Sequence, residues 1–166
     1  MPYTILSRSN LVIDITGAAN GQVVIDLAAD TAPQHVSQVT ALAKSGVYDG
    51  VVFHRVIDGF MAQTGDVQYG KAGSETAMAG MGGSEMPNIP AEFTQETFAR
   101  GVVGMARAQD PNSANSQFFI MQFNDRAEFL DGQYTMIGQG CVGDGGWWTC
   151  IKLGEGQNAA SDRRPM

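Results

Sequence analysis

The chain has little of the residues that mark several large classes of protein. It contains only two cysteines, Cys141 and Cys150, with no CxxC pair and no Cys/His cluster, so we expect neither a disulfide framework nor a metal site. No apolar run approaches the roughly 20 residues that span a bilayer, and residues 1–15 lack the charged start and apolar run of a secretory signal. We therefore expect a cytoplasmic protein without a membrane partner.

Basic residues are also scarce. The chain has 10 Lys and Arg against 17 Asp and Glu, a net charge of -7, and the basic residues are scattered along it. Binding to phosphate backbones depends on Lys and Arg, so this balance argues against a nucleic-acid partner. Residues 80–85 lack the last glycine of the dinucleotide fingerprint, and no Gly-Lys-Ser/Thr ending of a phosphate loop occurs, which argues against a nucleotide site.

The residues that are abundant are apolar residues and glycine. At 166 residues and 43% hydrophobic content, the chain is long enough to bury most of its unfolded surface, so we expect a single domain over residues 1–166. Its 21 glycines and its β-branched runs, separated by turn residues, favour a mostly β fold. Strands are predicted over residues 11–15 and 23–27, which form a hairpin, and over residues 51–57, 101–105, 116–122 and 134–137.

One segment has the signals of a helix. Asp30 or Thr31 can cap it, Pro33 suits its first turn, apolar residues recur on one side, and Gly46 stops it. Residues 67–90, by contrast, are rich in Gly, Ser, Met and Pro and follow neither the helical nor the strand period, which predicts a long loop. Long loops in compact domains are often functional.

Two segments combine residue types in an unusual way. Residues 53–66 set a histidine, a cation and an amide among aromatic and thioether side chains, and residues 104–120 join a strand, a turn rich in Asn and Ser, and an aromatic strand. Each feature alone has an ordinary explanation. An arginine is most often a solvated surface group, Phe and Met pack in cores, and Asn and Ser in turns bond their own backbone.

Together, the two segments resemble the signatures of cyclophilins, in the same order and at a plausible separation. Residues 49–53 and 129–134 also resemble that family. In all, the resemblance extends over residues 11–137. Phe129 and Tyr134 stand where many eukaryotic members carry Trp and His. In this respect the chain is most similar to bacterial cyclophilins.

The resemblance implies a fold and a site. The fold would be a closed antiparallel β-barrel of eight strands capped by two helices, with a groove on its outer wall and no ligand lumen. The catalytic residues would be Arg55 and Gln63, and no metal or cofactor would be required. The remaining groove residues, all implied to bind substrate, would be His54, Phe60, Met61, Ala106, Arg107, Gln117, Phe119, Phe129, Leu130 and Tyr134.

The implied activity is peptidyl-prolyl cis-trans isomerisation, which assists protein folding. Rotation about an X-Pro bond faces a barrier of about 18 to 20 kcal/mol, because the planar amide loses its resonance as it twists. Arg55 would donate toward the prolyl nitrogen only in the twisted state, while an apolar pocket holds the proline ring. The substrates would be proline-containing peptides and unfolded or folding proteins. Cyclosporin would bind weakly, because Phe129 lacks the indole N–H of the family's Trp.

Two other functions stay open at this point. A binding module or chaperone could grip proline-containing segments through the same groove without accelerating rotation. A hydrolase could use His54 with Ser and Asp partners, although the chain has no Gly-x-Ser-x-Gly elbow and a lone histidine before an arginine on a strand is more often structural.

The resemblance weakens after Gly138. Family members continue with an amphipathic helix and a final strand, whereas residues 143–151 of this chain carry glycines and two adjacent tryptophans, which conflict with an amphipathic helix. Codons for a family-like helix give Gly-Asp-Gly and Trp-Trp-Thr in other reading frames, so we hypothesise a local frame disturbance. We expect a barrel that lacks its final strand and is open at one seam.

Overall fold

The computed structural model describes residues 9–17, 20–122 and 127–141. They form seven strands, one α-helix and one turn of 3-10 helix, so the chain is mostly β as expected. The strands are β1 (Asn10–Ile15), β2 (Gly21–Leu27), β3 (Arg55–Ile57), β4 (Met61–Thr64), β5 (Val102–Met105), β6 (Phe118–Met121) and β7 (Met136–Cys141), the helix is α1 (Pro33–Ser45), and the 3-10 turn is Glu128–Leu130.

The seven strands pair antiparallel in one curled sheet, in the order β1-β2-β7-β5-β6-β4-β3. The eighth strand and the second α-helix that the resemblance implies are not among the described residues. The predicted frame disturbance and missing final strand concern residues 142–166, which lie outside the described part of the chain. Within that part, β1 and β3 form the two edges of the sheet.

The alternation of apolar and polar residues explains the first hairpin. Leu11, Ile13 and Ile15 of β1 are buried and the residues between them are exposed, because successive side chains of a strand point to opposite faces. β2 pairs with β1 in register and buries its own alternate residues. The inward side chains pack in one core with Val39 and Leu42 of α1. The predicted hairpin is confirmed.

The predicted strand over residues 51–57 is wrong in its first half. Val51 forms an isolated bridge with Lys71, and Val52 donates its N–H to the carbonyl of Gly70 at 2.8 Å. These residues fasten the loop over residues 67–90, so that regular pairing begins only at β3. The turn to β4 contains Gly59, whose φ of +69° favours glycine. The sequence did not single out β4 as a separate strand.

The helix α1 ends as predicted but begins differently. Gly46 terminates it in the left-handed conformation, with a φ of +80°. The predicted caps Asp30 and Thr31 are wrong, because the N-cap residue is Ala32 and offers no side-chain oxygen. The N-terminal N–H groups are satisfied from elsewhere in the chain. The carboxylate of Glu92 accepts the backbone N–H groups of Gln34 and His35 at 3.1 Å and contacts Nδ1 of the fully buried His35 at 2.5 Å.

Glu92→Gln is expected to lower the free energy of unfolding by about 1 to 2 kcal/mol at neutral pH. Burial alone would raise the pKa of Glu92, but hydrogen bonds from the side chain and backbone of His35 and from the backbone of Gln34 outweigh it and lower that pKa. The stabilisation is therefore present above the ordinary carboxyl pKa and is lost as the pH falls through the lowered folded-state pKa. Denaturant unfolding across this acid range measures both effects.

The matched control for this prediction is Glu96→Gln, which changes an exposed carboxylate on the same segment. Its free energy of unfolding is expected to stay within about 0.5 kcal/mol of the parent value. A Glu92→Gln protein with unchanged stability and an unchanged acid dependence would show that the helix does not depend on this remote cap.

Candidate active site

A row of directly opposed residues crosses four strands of the sheet. Arg55 on β3 pairs with Gln63 on β4, Gln63 pairs with Phe119 on β6, and Phe119 pairs with Gly104 on β5. Opposed residues of antiparallel strands project to the same face, with Cβ atoms about 5 Å apart. The exposed cation of Arg55, the half-buried amide of Gln63 and the ring of Phe119 therefore follow one another on one face.

The same face carries a second apolar cluster, separate from the core beneath α1. We call it the apolar patch. Three of its buried members are predicted site residues, namely Met61, Phe119 and Leu130. Phe60, Ala106 and Tyr134 pack against it partly buried, and the exposed ring of Phe129 stacks on Phe60 with centroids 5.9 Å apart. The buried members of the apolar patch are Met61, Phe98, Val102, Phe119, Met121, Ala127, Leu130 and Met136.

Gly104 allows the rings of the apolar patch to stack. Phe98 and Phe119 lie nearly parallel, with centroids 5.8 Å apart, directly over this glycine. A Cβ atom at position 104 would lie 2.5 Å from Cζ of Phe119 and 2.7 Å from Cε1 of Phe98, well inside van der Waals contact. Any other residue would push Phe119 out of its place beside Gln63.

Two glutamines form the polar side of the site. Nε2 of Gln63 donates to Oε1 of Gln117 at 2.9 Å, and Nε2 of Gln117 donates to the carbonyl of Gly82 at 2.8 Å. A carbonyl can only accept, so Gly82 fixes the orientation of the Gln117 amide, which in turn fixes that of Gln63. The backbone N–H of Ala106 donates to the carbonyl of Gln117 and is therefore already engaged.

Asp66 holds the long loop beside this pair of amides. The carboxylate is fully buried and accepts four backbone N–H groups. Oδ1 accepts those of Gln68 and Tyr69, and Oδ2 accepts those of Gly80 at 2.7 Å and Gly82 at 2.9 Å. The predicted loop thus follows β4 with one end anchored at the site. The glycine-rich stretch that fails as a nucleotide motif contributes its backbone to the site.

His54 lies beneath the loop next to Arg55. It lines a cavity of about 660 Å³ together with Arg55 and Gln63, and Gly80 covers its ring. Burial lowers the pKa of His54, Asp66 opposes this shift, and Arg55 adds to it. With a pKa below its ordinary value of about 6.5, the imidazole is neutral at pH 7.

The geometry of His54 does not favour the hydrolase alternative. Neither ring nitrogen has a hydrogen-bond partner among the described residues. A histidine that activates a nucleophile is held by such partners, with the nucleophile on one nitrogen and an orienting group on the other. In the described part of the chain, no three His, Cys, Asp or Glu side chains come together as metal ligands, and no helix is long and apolar enough to cross a membrane.

The structure thus groups the predicted site residues around Gln63, with His54 buried beneath the loop at one edge and Met61, Phe119 and Leu130 buried in the apolar patch. Arg107 completes this group, with its guanidinium carbon 4.8 Å from the ring centroid of Tyr134, which meets Phe119 edge to face at 5.5 Å. Sequence reasoning missed Asp66 and Gly82, which position the amides, and Phe98, which backs the ring of Phe119. The sequence offered one signal for the first two residues. Asp66 directly precedes the predicted loop over residues 67–90 and Gly82 lies within it, and long loops in compact domains are often functional.

Comparisons with known proteins agree with this geometry. The family model described as "Cyclophilin type peptidyl-prolyl cis-trans isomerase/CLD" matches residues 12–147. A probable peptidyl-prolyl cis-trans isomerase of Brucella suis is 57% identical over 122 residues, which make up 72% of this chain and 61% of that protein. The chain therefore spans less than two thirds of the length of this relative.

Two solved structures are similar in fold. A Cryptosporidium parvum cyclophilin type peptidyl-prolyl cis-trans isomerase, crystallised in the presence of the dipeptide Ala-Pro, superimposes with a TM-score of 0.77 at 24% identity and covers 95% of each chain. Cyclophilin AquaCyp293 from Hirschia baltica gives a TM-score of 0.69 at 27% identity over 90% of this chain and 68% of that one. The family model and the bacterial relative confirm the resemblance seen in the sequence, and the chain belongs to the cyclophilin-type peptidyl-prolyl cis-trans isomerase family.

Proposed function

We propose that the protein catalyses cis-trans isomerisation of X-Pro peptide bonds and so assists the folding of proline-containing chains. The row of opposed residues Arg55, Gln63, Phe119 and Gly104, here called the cross-strand row, supports this most strongly. It sets the cation of Arg55 and the amide of Gln63 beside the ring of Phe119, and hence beside the apolar patch. A prolyl segment needs an apolar surface for its ring and a hydrogen-bond donor for its amide. The apolar patch and Arg55 offer these two features on neighbouring strands. A cytoplasmic location remains part of the proposal, because two cysteines are too few for a disulfide framework.

The proposed mechanism is selective stabilisation of the twisted amide. As the X-Pro bond rotates, the nitrogen loses resonance, becomes pyramidal and gains a lone pair that can accept a hydrogen bond. Arg55 is exposed and has no hydrogen-bond or ion-pair partner among the described residues, so its fixed donors are available for that nitrogen. The interaction exists only in the twisted state and therefore lowers the barrier.

The other residues would hold the substrate while it rotates. Phe60, Met61, Phe119 and Leu130 offer the apolar surface for the proline ring, so that the opposite end of the bond turns. Gln63 would bond the peptide backbone with the donor and acceptor capacity that Gln117 leaves free. Lowering the barrier by about 7 kcal/mol gives an acceleration of about 10⁵, which one cation and good positioning can supply without a cofactor.

An isomerisation assay separates this proposal from the binding alternative. Catalytic amounts of the purified chain, with an Ala-Pro peptide in large excess, are expected to speed cis-to-trans relaxation in proportion to protein concentration. A module that only grips proline-containing segments would leave the relaxation unchanged or slow it. EDTA is expected to have no effect on the rate, and inhibition by EDTA would contradict a cofactor-free mechanism.

Cyclosporin is expected to bind weakly. Phe129→Trp is expected to lower the Kd for cyclosporin about tenfold, because the indole N–H adds one hydrogen bond worth about 1 to 1.5 kcal/mol. The ring of Phe129 is 64% exposed at the edge of the apolar patch and offers no donor. Inhibition titrations measure the change, with kcat/KM expected to change less than the affinity. Phe93→Trp, at another exposed phenylalanine, is the control. Tight inhibition of the parent chain would overturn this interpretation of the groove.

A further inference from the structure

A second groove lies next to the amides of Gln63 and Gln117. It has a volume of about 540 Å³ and runs between loop residues 80–84 and residues 106–115. Its described lining residues are neutral apart from Arg107. The protein as a whole carries a net charge of -7, and Arg107 is the one charged residue among the described residues that line this groove.

Arg107 is held in place by backbone carbonyls and an aromatic ring. Its Nε donates to the carbonyl of Gln133 at 2.9 Å, and its Nη1 donates to the carbonyls of Ala108 at 2.9 Å and Gln109 at 3.2 Å. The guanidinium also lies over the ring of Tyr134. These contacts use three of the five N–H donors of the guanidinium and leave the two on Nη2. No carboxylate forms an ion pair with Arg107 in the part of the chain that the structure describes.

We infer that Arg107 binds an anionic side chain of the substrate, a carboxylate or a phosphate ester, within three residues of the proline. The inference rests on the proposed isomerase function. Tyr134 contacts both Arg107 and Phe119, which places the guanidinium carbon no more than about 10 Å from the ring centroid of Phe119. An extended peptide covers about 10 Å in three residues, so one chain reaches from the apolar patch to the cation.

Arg107 is only half-buried, but its guanidinium is immobilised. This explains why a preference for an anionic peptide over a neutral one should be measurable. A free arginine loses side-chain entropy when it binds an anion, whereas this one is already ordered by its carbonyl partners. The nearest acidic residue along the chain, Asp110, uses its Oδ1 to accept the N–H of Asn112 and does not line the groove. We expect a preference for the anionic peptide of about three- to tenfold.

Matched peptides test the inference. Each contains one Ala-Pro bond and carries Glu or Gln, or phosphoserine or Ser, at one position within three residues of the proline. Exchange NMR gives kcat/KM and titration gives Kd for the parent protein, for Arg107→Gln and for Arg107→Lys. At the best position the parent is expected to prefer Glu over Gln about three- to tenfold. The two anionic arms show whether carboxylate or phosphate is preferred.

For each variant, kcat/KM for the Glu peptide is divided by kcat/KM for the Gln peptide. A general loss of activity lowers both values equally and therefore cancels in this ratio. We expect the ratio to fall to about one in Arg107→Gln and to be partly kept in Arg107→Lys. Lys44→Gln removes the same charge from an exposed site on α1 and is expected to keep the parent ratio. Equal values for anionic and neutral peptides at every position, or a preference that survives Arg107→Gln, would overturn the inference. If no peptide is isomerised, the proposed function fails, and the Kd ratios still decide whether Arg107 binds the anion.

Discussion

Arg55→Ala is expected to lower kcat/KM for an Ala-Pro peptide by roughly 10²- to 10³-fold, the effect of removing one preorganised donor worth about 3 to 4 kcal/mol. The cation stands at the start of the cross-strand row, exposed and beside Gln63. Because it is exposed, its loss is expected to change the free energy of unfolding by no more than about 0.5 kcal/mol. The protease-coupled assay and denaturant unfolding measure the two quantities separately.

Two further variants sharpen this result. Arg55→Lys keeps the charge but loses the rigid fork of donors, so its kcat/KM is expected to lie between those of the parent and Arg55→Ala. Lys44→Ala removes a cation from the exposed end of α1 and is expected to keep the parent rate. A rate in Arg55→Ala equal to that of the parent would refute the proposed role of this residue.

Asp66→Ala is expected to destabilise the protein by about 3 kcal/mol, which corresponds to a fall of roughly 10 °C in Tm for a chain of this length. The substitution removes the acceptor of four backbone N–H groups. It also releases Gly82, whose carbonyl orients Gln117 and through it Gln63. We therefore expect kcat/KM to fall about tenfold even well below the Tm, which calorimetry and the isomerase assay check together.

Glu75→Ala is the matched control, because it removes an exposed carboxylate from the same loop. Its Tm and kcat/KM are expected to match those of the parent. If Asp66→Ala lost stability but kept its full rate, the loop would be a structural element without a part in positioning the amides. If both quantities were unchanged, the four hydrogen bonds would contribute nothing measurable.

Local patterns in the sequence predict the elements whose causes are local. The hairpin of β1 and β2 follows from residue alternation, and α1 ends at Gly46 because only glycine easily adopts the left-handed conformation there. The cap of α1 could not be predicted in this way. It comes from Glu92, 57 residues beyond His35, whereas Asp30 and Thr31 had the right chemistry at the wrong place.

The candidate site shows the same division. The resemblance of the two motif segments to cyclophilins implied Arg55, Gln63 and Phe119, and the strand pairing brings them together. The supporting contacts depend on tertiary structure. The sequence around Asp66 does not indicate that its buried carboxylate accepts backbone N–H groups from residues 14 and 16 positions later. It also does not indicate that Gly82 orients the amides of Gln117 and Gln63.

The most direct test of the account is exchange NMR on an Ala-Pro peptide with the parent protein and Arg55→Ala, because it yields both Kd and the isomerisation rate on the enzyme. If the guanidinium acts on the twisted amide, the rate on the enzyme falls by roughly 10²-fold or more while Kd changes by less than about threefold. If Kd instead rises by the full factor while the rate on the enzyme is unchanged, Arg55 serves binding alone and the proposed mechanism is contradicted.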